Sequence, residues 1–165
     1  MKKYLFYFLL IFNLSINSFG ELVTAPDFKL KDQYGIEHSL EKYKNKKVFL
    51  IFWTSWCKYC EDTLEDIQQL YKENGENKKD IIFLTFNNEE KKDLKKVLKE
   101  KKYEFPVINN KIIFYQYYVE YFPTNYIIDE KGKVVQSIAG QINKENLKKL
   151  IKNQNYKIEK KKVTN

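Results

Sequence analysis

The sequence predicts an α/β domain with a central mixed β-sheet, helices on both faces, an N-terminal β-hairpin and one inserted helix. Apolar strand-like segments alternate with amphipathic helical segments between residues 48 and 101, which is the pattern of parallel βαβ units with right-handed crossovers. The last two strand-like segments, 125–129 and 133–139, flank a tight turn, so we expect them to be antiparallel. No internal repeat or linker divides the 165 residues, which indicates one domain.

The first predicted elements are a hairpin, a buried strand and a long helix. Residues 28–31 and 36–40 are expected to pair around an Asp-Gln-Tyr-Gly turn. Residues 48–53 are apolar throughout and rich in β formers, which predicts a buried strand. Residues 58–73 carry apolar side chains at spacings of three and four, which predicts an amphipathic helix that stops near Gly75.

The following segments complete the sheet and its helical layers. Residues 81–86 predict a second buried strand, and Asn88 is expected to cap the inserted helix over residues 89–101. The segment 112–118 is compatible with a short helix. After the antiparallel strands, Asn143 is expected to cap a final helix whose leucines face inward.

The N-terminus has the organisation of a secretory signal. Lys2 and Lys3 precede an apolar run over residues 4–12, and small and polar residues follow as far as Gly20. The apolar run is roughly half as long as a membrane-spanning helix. We therefore expect a cleaved signal peptide and an exported protein; an uncleaved segment that retains the protein at the membrane is the alternative.

These features divide the chain into three parts. We expect the signal peptide to cover residues 1–20 and the folded domain to cover residues 21–155. Residues 156–165 are polar and rich in lysine, so we expect a disordered tail. An exported domain would lie in the periplasm or another extracytoplasmic compartment, where an ordinary pair of cysteines becomes oxidised.

The charge of the chain does not indicate a nucleic-acid-binding protein. The formal net charge is +8, but every basic side chain besides the one histidine is a lysine, and the lysines are spread over the predicted helix faces. Arginine, which reads phosphates and bases best, is absent. We therefore expect no nucleic-acid partner.

The only two cysteines, Cys57 and Cys60, lie between the strand 48–53 and the helix 58–73. The first sulfur is at the helix N-terminus, where free N–H groups and the helix dipole stabilise an anion. The second is one turn further on, within reach of a mixed disulfide on the first. A structural bridge across so short a loop would remove little chain entropy, and a zinc site needs four ligands. We interpret the pair as a redox-active disulfide and expect no other cofactor and no metal.

Three sequence segments carry a family resemblance. They are Ala25-Pro26-Asp27-Phe28, the run Phe-Trp-Thr-Ser-Trp-Cys-Lys-Tyr-Cys over 52–60, and Phe-Pro-Thr-Asn-Tyr-Ile-Ile-Asp-Glu-Lys-Gly-Lys-Val over 122–134. With these segments the chain resembles the TlpA/ResA-like family of exported thiol–disulfide oxidoreductases, which have a thioredoxin fold. The inserted helix fits this family better than it fits the small cytosolic thioredoxins.

The resemblance implies roles for individual residues. Cys57 corresponds to the nucleophile of the family and Cys60 to its resolving thiol. Pro123 corresponds to a cis-proline that faces the disulfide, and the backbone of Phe122 would pair with an extended client. Three further residues belong to the expected site: Trp56 would shape the docking surface, and Lys58 and Tyr59 would tune the motif.

The chain also departs from the pattern of the family. Tyr59 stands where the family usually has proline, and Thr63 where ResA-like members carry a glutamate. Ile51 stands where cytosolic thioredoxins place a buried aspartate. Both proton-handling carboxylates are therefore absent from their expected positions, and Glu61 and Asp62 are expected on the solvated helix face. The sequence does not identify the group that deprotonates the second thiol.

The sequence is compatible with three functions. We expect a monomeric reductase of client disulfides, recharged, by resemblance, by a membrane electron donor of the CcdA/DsbD type. A disulfide-donating oxidase is the first alternative, although such oxidants carry a histidine within the motif and this chain does not. A copper- or metal-binding module is the second, but its relatives use a longer Cys-x-x-x-Cys spacing. The only histidine, His38, lies in the predicted hairpin, where we expect a polar surface role.

Overall fold

The computed structural model describes residues 22–152. The predicted signal peptide 1–20 and the tail 156–165 lie outside the described residues. The chain begins with a small antiparallel hairpin, β1 (Leu30–Lys31) and β2 (Glu37–His38), followed by a 3-10 helix over Glu41–Tyr43. The predicted hairpin is therefore confirmed, with shorter strands than expected.

A five-stranded mixed sheet forms the centre of the fold. Its strands are β3 (Lys47–Trp53), β4 (Ile81–Asn87), β5 (Val107–Asn109), β6 (Thr124–Ile128) and β7 (Val134–Ala139). The spatial order is β5–β4–β3–β6–β7. Strands β3, β4 and β5 are parallel, whereas β6 is antiparallel to both β3 and β7. This is the predicted mixed sheet, and β3 is its central strand.

Within residues 22–152, four α-helices cover the two faces of the sheet. They are α1 (Lys58–Glu73), α2 (Lys91–Lys101), α3 (Ile112–Gln116) and α4 (Lys144–Lys152). One core lies between the sheet and the helices α1, α2 and α4. The other lies between the sheet, α3 and the N-terminal segment. All seven residues of β3 are buried because this strand is covered on both faces.

The inserted helix starts later than the sequence predicts. It begins at Lys91 with Glu90 as its N-cap, so the assignment of Asn88 as the cap was wrong. The side chain of Asn87 accepts a hydrogen bond from the backbone N–H of Glu89 at 2.9 Å, which holds this segment in a turn. Residue 89 is thereby kept out of the helix and lies beside the end of β3.

The predicted surface position of His38 is also wrong. Its side chain is only 4% exposed. The ring nitrogens lie 2.6 Å from the hydroxyl of Tyr43 and 3.0 Å from Oδ2 of Asp32. Because Asp32 also bridges to Ile108 in β5, this buried network fastens the hairpin to the main sheet.

Candidate dithiol site

The two cysteines lie where β3 passes into α1, as the sequence predicts. Cys57 is the N-cap of α1, with extended backbone angles, and the N–H of Cys60 donates to the Cys57 carbonyl at 3.0 Å. Both are free thiols. Cys57 is half-buried, whereas Cys60 is 1% exposed and packs in the core with Ile51 and Leu64. One sulfur is accessible from outside, and the other lies beneath it.

The surroundings of Cys60 keep its thiol protonated. Burial raises the pKa of the Cys60 thiol well above its ordinary value, and a hydrogen bond with the Cys57 side chain acts in the same direction. The negative charge of Glu89 adds to this effect, while a hydrogen bond from the Thr54 backbone opposes it. The Cys60 proton therefore has to be taken up elsewhere when its sulfur reacts.

Glu89 is a site residue that the sequence analysis missed. Its carboxylate accepts hydrogen bonds from the Ser55 backbone at 2.8 Å and the Ser55 hydroxyl at 2.6 Å. The side-chain amide of Asn87 donates a third bond at 2.8 Å. Its position in the sequence could have indicated this role. Glu89 follows the carboxyl end of β4, and the carboxyl ends of neighbouring parallel strands meet at one edge of a sheet.

The two residues that the sequence analysis noted in place of carboxylates lie in the core. Ile51 and Thr63 are both buried, and the Thr63 hydroxyl donates to the carbonyl of Tyr59 at 3.0 Å. Glu61 and Asp62 are exposed, as expected. Glu61 forms an ion pair with Lys101 of α2, so neither of these acidic residues replaces the missing groups inside the core.

A small cavity opens beside Cys57. Its volume is about 120 Å³, and Thr54, Glu61, Leu64 and Lys101 are among its lining residues. A larger cavity of about 400 Å³ lies at the opposite end of the sheet, next to the first residues of β3. The small cavity is the one that adjoins a thiol.

Aromatic side chains and a cis-proline lie on the other side of the motif. The Phe122–Pro123 peptide bond is cis, as the resemblance implies. The rings of Trp56 and Phe122 pack edge to face with centroids 5.6 Å apart. Trp56 is 71% exposed and Tyr59 is 64% exposed. Of the expected docking residues, Trp56 is therefore exposed beside Cys57, Phe122 is half-buried against it, and Pro123 is buried.

The described part of the chain holds neither a metal-binding cluster nor a membrane-spanning helix. Within residues 22–152, no group of three or more His, Cys, Asp or Glu side chains is arranged to hold a metal ion. Across the same residues, no helix is long and apolar enough to cross a membrane. His38 lies in the hairpin network, bonded to Asp32 and Tyr43.

The fold and the dithiol together define a class of protein. A Cys-x-x-Cys pair at the first turn of α1 in a thioredoxin fold is the arrangement of thiol–disulfide oxidoreductases. The chain belongs to the AhpC/TSA family, whose profile matches residues 23–137, and within it to the TlpA/ResA-like oxidoreductases.

Comparison with individual proteins supports this assignment. The chain is 35% identical over 127 residues to the thiol-disulfide oxidoreductase ResA of Geobacillus thermodenitrificans, covering 76% of this chain and 72% of that protein. The structure of the exposed lipoprotein thioredoxin Etrx1 from Streptococcus pneumoniae is similar, with a TM-score of 0.70 and 32% identity, covering 77% and 98% of the two chains. A thiol:disulfide interchange protein DsbE from Chlorobium tepidum gives a TM-score of 0.72 at 28% identity, covering 81% and 96%. The protein is therefore a thiol–disulfide oxidoreductase.

Proposed function

We propose that the protein is an extracytoplasmic reductase of client disulfides. Cys57 attacks one sulfur of the client and forms a mixed disulfide, while the other client sulfur leaves with the electron pair. Cys60 then attacks the Cys57 sulfur, so that the Cys57–Cys60 disulfide forms and the client is released as a dithiol. Two electrons pass from the protein to the client, and an external donor returns them.

The single observation that carries this proposal is the difference between the two sulfurs. Cys57 is half-buried at the N-terminus of α1, whereas Cys60 is almost completely buried. A bulky client disulfide has access to the first sulfur only. The second is positioned to react within the protein once the first is occupied.

The aromatic surface supports a role in binding extended clients. Phe122 packs against Trp56, and by resemblance its backbone would pair with an extended client as an added strand. Trp56, Phe122 and Pro123 would form this docking surface, and Lys58 and Tyr59 would border it. We propose protein clients, a monomer as the active form and no cofactor beyond the disulfide itself.

Location outside the cytoplasm rests on two findings. The N-terminus has the pattern of a signal peptide. One of the similar structures is described as an exposed lipoprotein, and another as a DsbE-type interchange protein. By resemblance, the electron donor would be a membrane protein of the CcdA/DsbD type. Sequencing of the exported protein should find Glu21 at its N-terminus; an intact Met1 would instead show that the signal is retained.

Trapping of a client tests the division of labour between the thiols. We expect Cys60→Ala to accumulate a mixed disulfide through Cys57, because the resolving sulfur is missing. Cys57→Ala should trap far less, because its remaining thiol is buried. Non-reducing electrophoresis followed by mass spectrometry measures both. If Cys57→Ala traps as much client as Cys60→Ala, the assignment of the two roles is wrong.

The direction of electron flow depends on the reduction potential of the couple. We expect a value below about −200 mV, more reducing than the ~−120 mV of a DsbA-type oxidant. Equilibration of the Cys57/Cys60 couple against a glutathione series measures it. A potential near that of the oxidant would make the protein a disulfide donor and would leave its fold and site unchanged.

A further inference from the structure

Two unusual polar atoms lie at the dithiol end of the fold. Among residues 22–152, the buried side-chain atoms that find no hydrogen-bond partner are Thr54 Oγ1 and Asn125 Oδ1. Thr54 lines the small cavity beside Cys57. Asn125 follows the cis-proline by two residues. Buried polar atoms are normally paired, so an unpaired acceptor at this end of the sheet indicates a partner that arrives during the reaction.

The register of the sheet places Asn125 on the same face as Cys60. Asn125 in β6 lies directly opposite Ile51 in β3, and directly opposite residues point to the same face. Ile51 packs in the core cluster that contains Cys60. Asn125 is only 3% exposed, so its side chain lies inside that layer.

The orientation of the Asn125 amide is determined by Gly140. The Nδ2 group donates to the Gly140 carbonyl at 3.2 Å, which requires the nitrogen to be on that side. The Oδ1 atom is therefore the free end, and it is an acceptor. Thr85, which lies opposite Ile51 on the other neighbouring strand, has no such free acceptor, because its hydroxyl contacts Trp53 and Pro106.

The resolving step needs an acceptor at this place. The Cys60 thiol is almost completely buried. It has to lose its proton when its sulfur attacks the Cys57 sulfur of the mixed disulfide. The Thr63 hydroxyl donates to a backbone carbonyl, and the Glu89 carboxylate is already held by three donors.

We propose that Asn125 Oδ1 accepts a hydrogen bond from a water that takes up the Cys60 proton in the mixed disulfide, so that the sulfur attacks Cys57 as a thiolate. This inference rests on the proposed function. In the step it assists, the Cys60 sulfur bonds to the Cys57 sulfur and the bond from Cys57 to the client breaks. The electron pair leaves on the client sulfur, which takes a proton from solvent, while the Cys60 proton passes to the water bonded to Asn125 and from it to solvent. Asn125 is thus a positioning residue.

The two chemical steps are separated by reaction with 5,5′-dithiobis(2-nitrobenzoate). The reduced full chain releases one thionitrobenzoate when Cys57 forms the mixed disulfide and a second when Cys60 resolves it. We expect Asn125→Leu to leave the first phase unchanged and to slow the second by about tenfold, the effect of one lost hydrogen bond. The matched control is Asn74→Leu, because the Asn74 amide bonds the α1 backbone at Leu70, and it should change neither phase.

A second variant keeps the site polar, so that loss of the acceptor can be distinguished from a general disturbance of the fold. Asn125→Asp retains the oxygen acceptor and adds a titratable group, so its second phase should be fast and should rise with pH as that group ionises. Equal second phases in wild type and Asn125→Leu, proportional slowing of both phases, or an Asn125→Asp pH profile identical to that of wild type would overturn the proposal. A wild-type chain that releases a single thionitrobenzoate would instead overturn the proposed function itself.

Discussion

At the scale of single residues, Cys57 and Cys60 share one motif but lie in different surroundings. Cys57 caps a helix and is half-buried, whereas Cys60 is enclosed by the core. Burial and the Glu89 charge both raise the pKa of Cys60. Glu89 thus supplies a carboxylate near the dithiol from a loop, whereas Ile51 and Thr63 of the surrounding core carry none.

The effect of Glu89 on Cys60 is testable with a single thiol present. In a Cys57→Ala background, Glu89→Gln should make iodoacetamide alkylation of Cys60 about threefold faster at pH 9, because removal of a nearby negative charge lowers the Cys60 pKa. The control is Glu90→Gln, because Glu90 is exposed and paired with Lys111. Equal rates in the Glu89 and Glu90 variants would show that the Glu89 charge does not act on this thiol.

At the scale of elements, the first residue of β3 is bonded to the last helix. Lys47 is buried, and its Nζ donates to the carbonyls of Leu150 and Ile151 at 3.1 and 2.9 Å. These carbonyls belong to the last described turn of α4. Burial lowers the pKa of Lys47, because removal from water makes the charged ammonium group less stable than the neutral amine.

Substitution of Lys47 tests this contact between elements. Lys47→Met keeps the length of the side chain but removes two buried hydrogen bonds made by a charged group, so we expect a loss of about 1–3 kcal/mol in the free energy of unfolding. Lys46→Met is the matched control, because Lys46 bonds an exposed carbonyl, and it should change stability by less than about 0.5 kcal/mol. Urea denaturation measures both. If the Lys47 variant is as stable as the control, the hydrogen bonds from Lys47 to α4 do not contribute to the free energy of unfolding.

At the scale of the whole molecule, buried tyrosines determine the response to alkaline pH. Burial raises the pKa of Tyr43 and Tyr103 to about 12, from an ordinary value of 10.0. Burial also raises the pKa of Tyr71, Tyr117 and Tyr126. A raised folded-state pKa stabilises the fold fully below the unfolded value, and this stability is lost as the pH rises through the folded value.

We therefore expect the urea midpoint to fall steadily above pH 10 and to reach its lowest values near pH 12. Lys47 has the opposite effect, because its lowered pKa makes stability rise with pH, but it is outnumbered by five tyrosines and Cys60, whose pKa values are all raised. Absorbance at 295 nm should show tyrosinate forming together with unfolding. A midpoint that stays constant from pH 9 to 11 would contradict the expectation.

Local patterns in the sequence determined much of the architecture. The apolar run of β3 and the three- and four-residue spacings of α1 predicted both elements within one residue of their bounds. Asn143 also caps the last helix as expected, with its Oδ1 accepting from the Asn146 backbone at 2.9 Å. These features depend on residues close in the chain, and the position of the dithiol follows from them because it lies between β3 and α1.

Only the tertiary structure decided the polar surroundings of the dithiol and of the hairpin. Ser55 and Glu89 are 34 residues apart in sequence, and their bonds depend on β3 and β4 being neighbours. Asn125 reaches the Cys60 face through pairing of β6 with β3. His38 is buried because Asp32 and Tyr43 close around it. Sequence periodicity records which side chains face inward, but the partner of a buried polar group is chosen by contacts between distant segments.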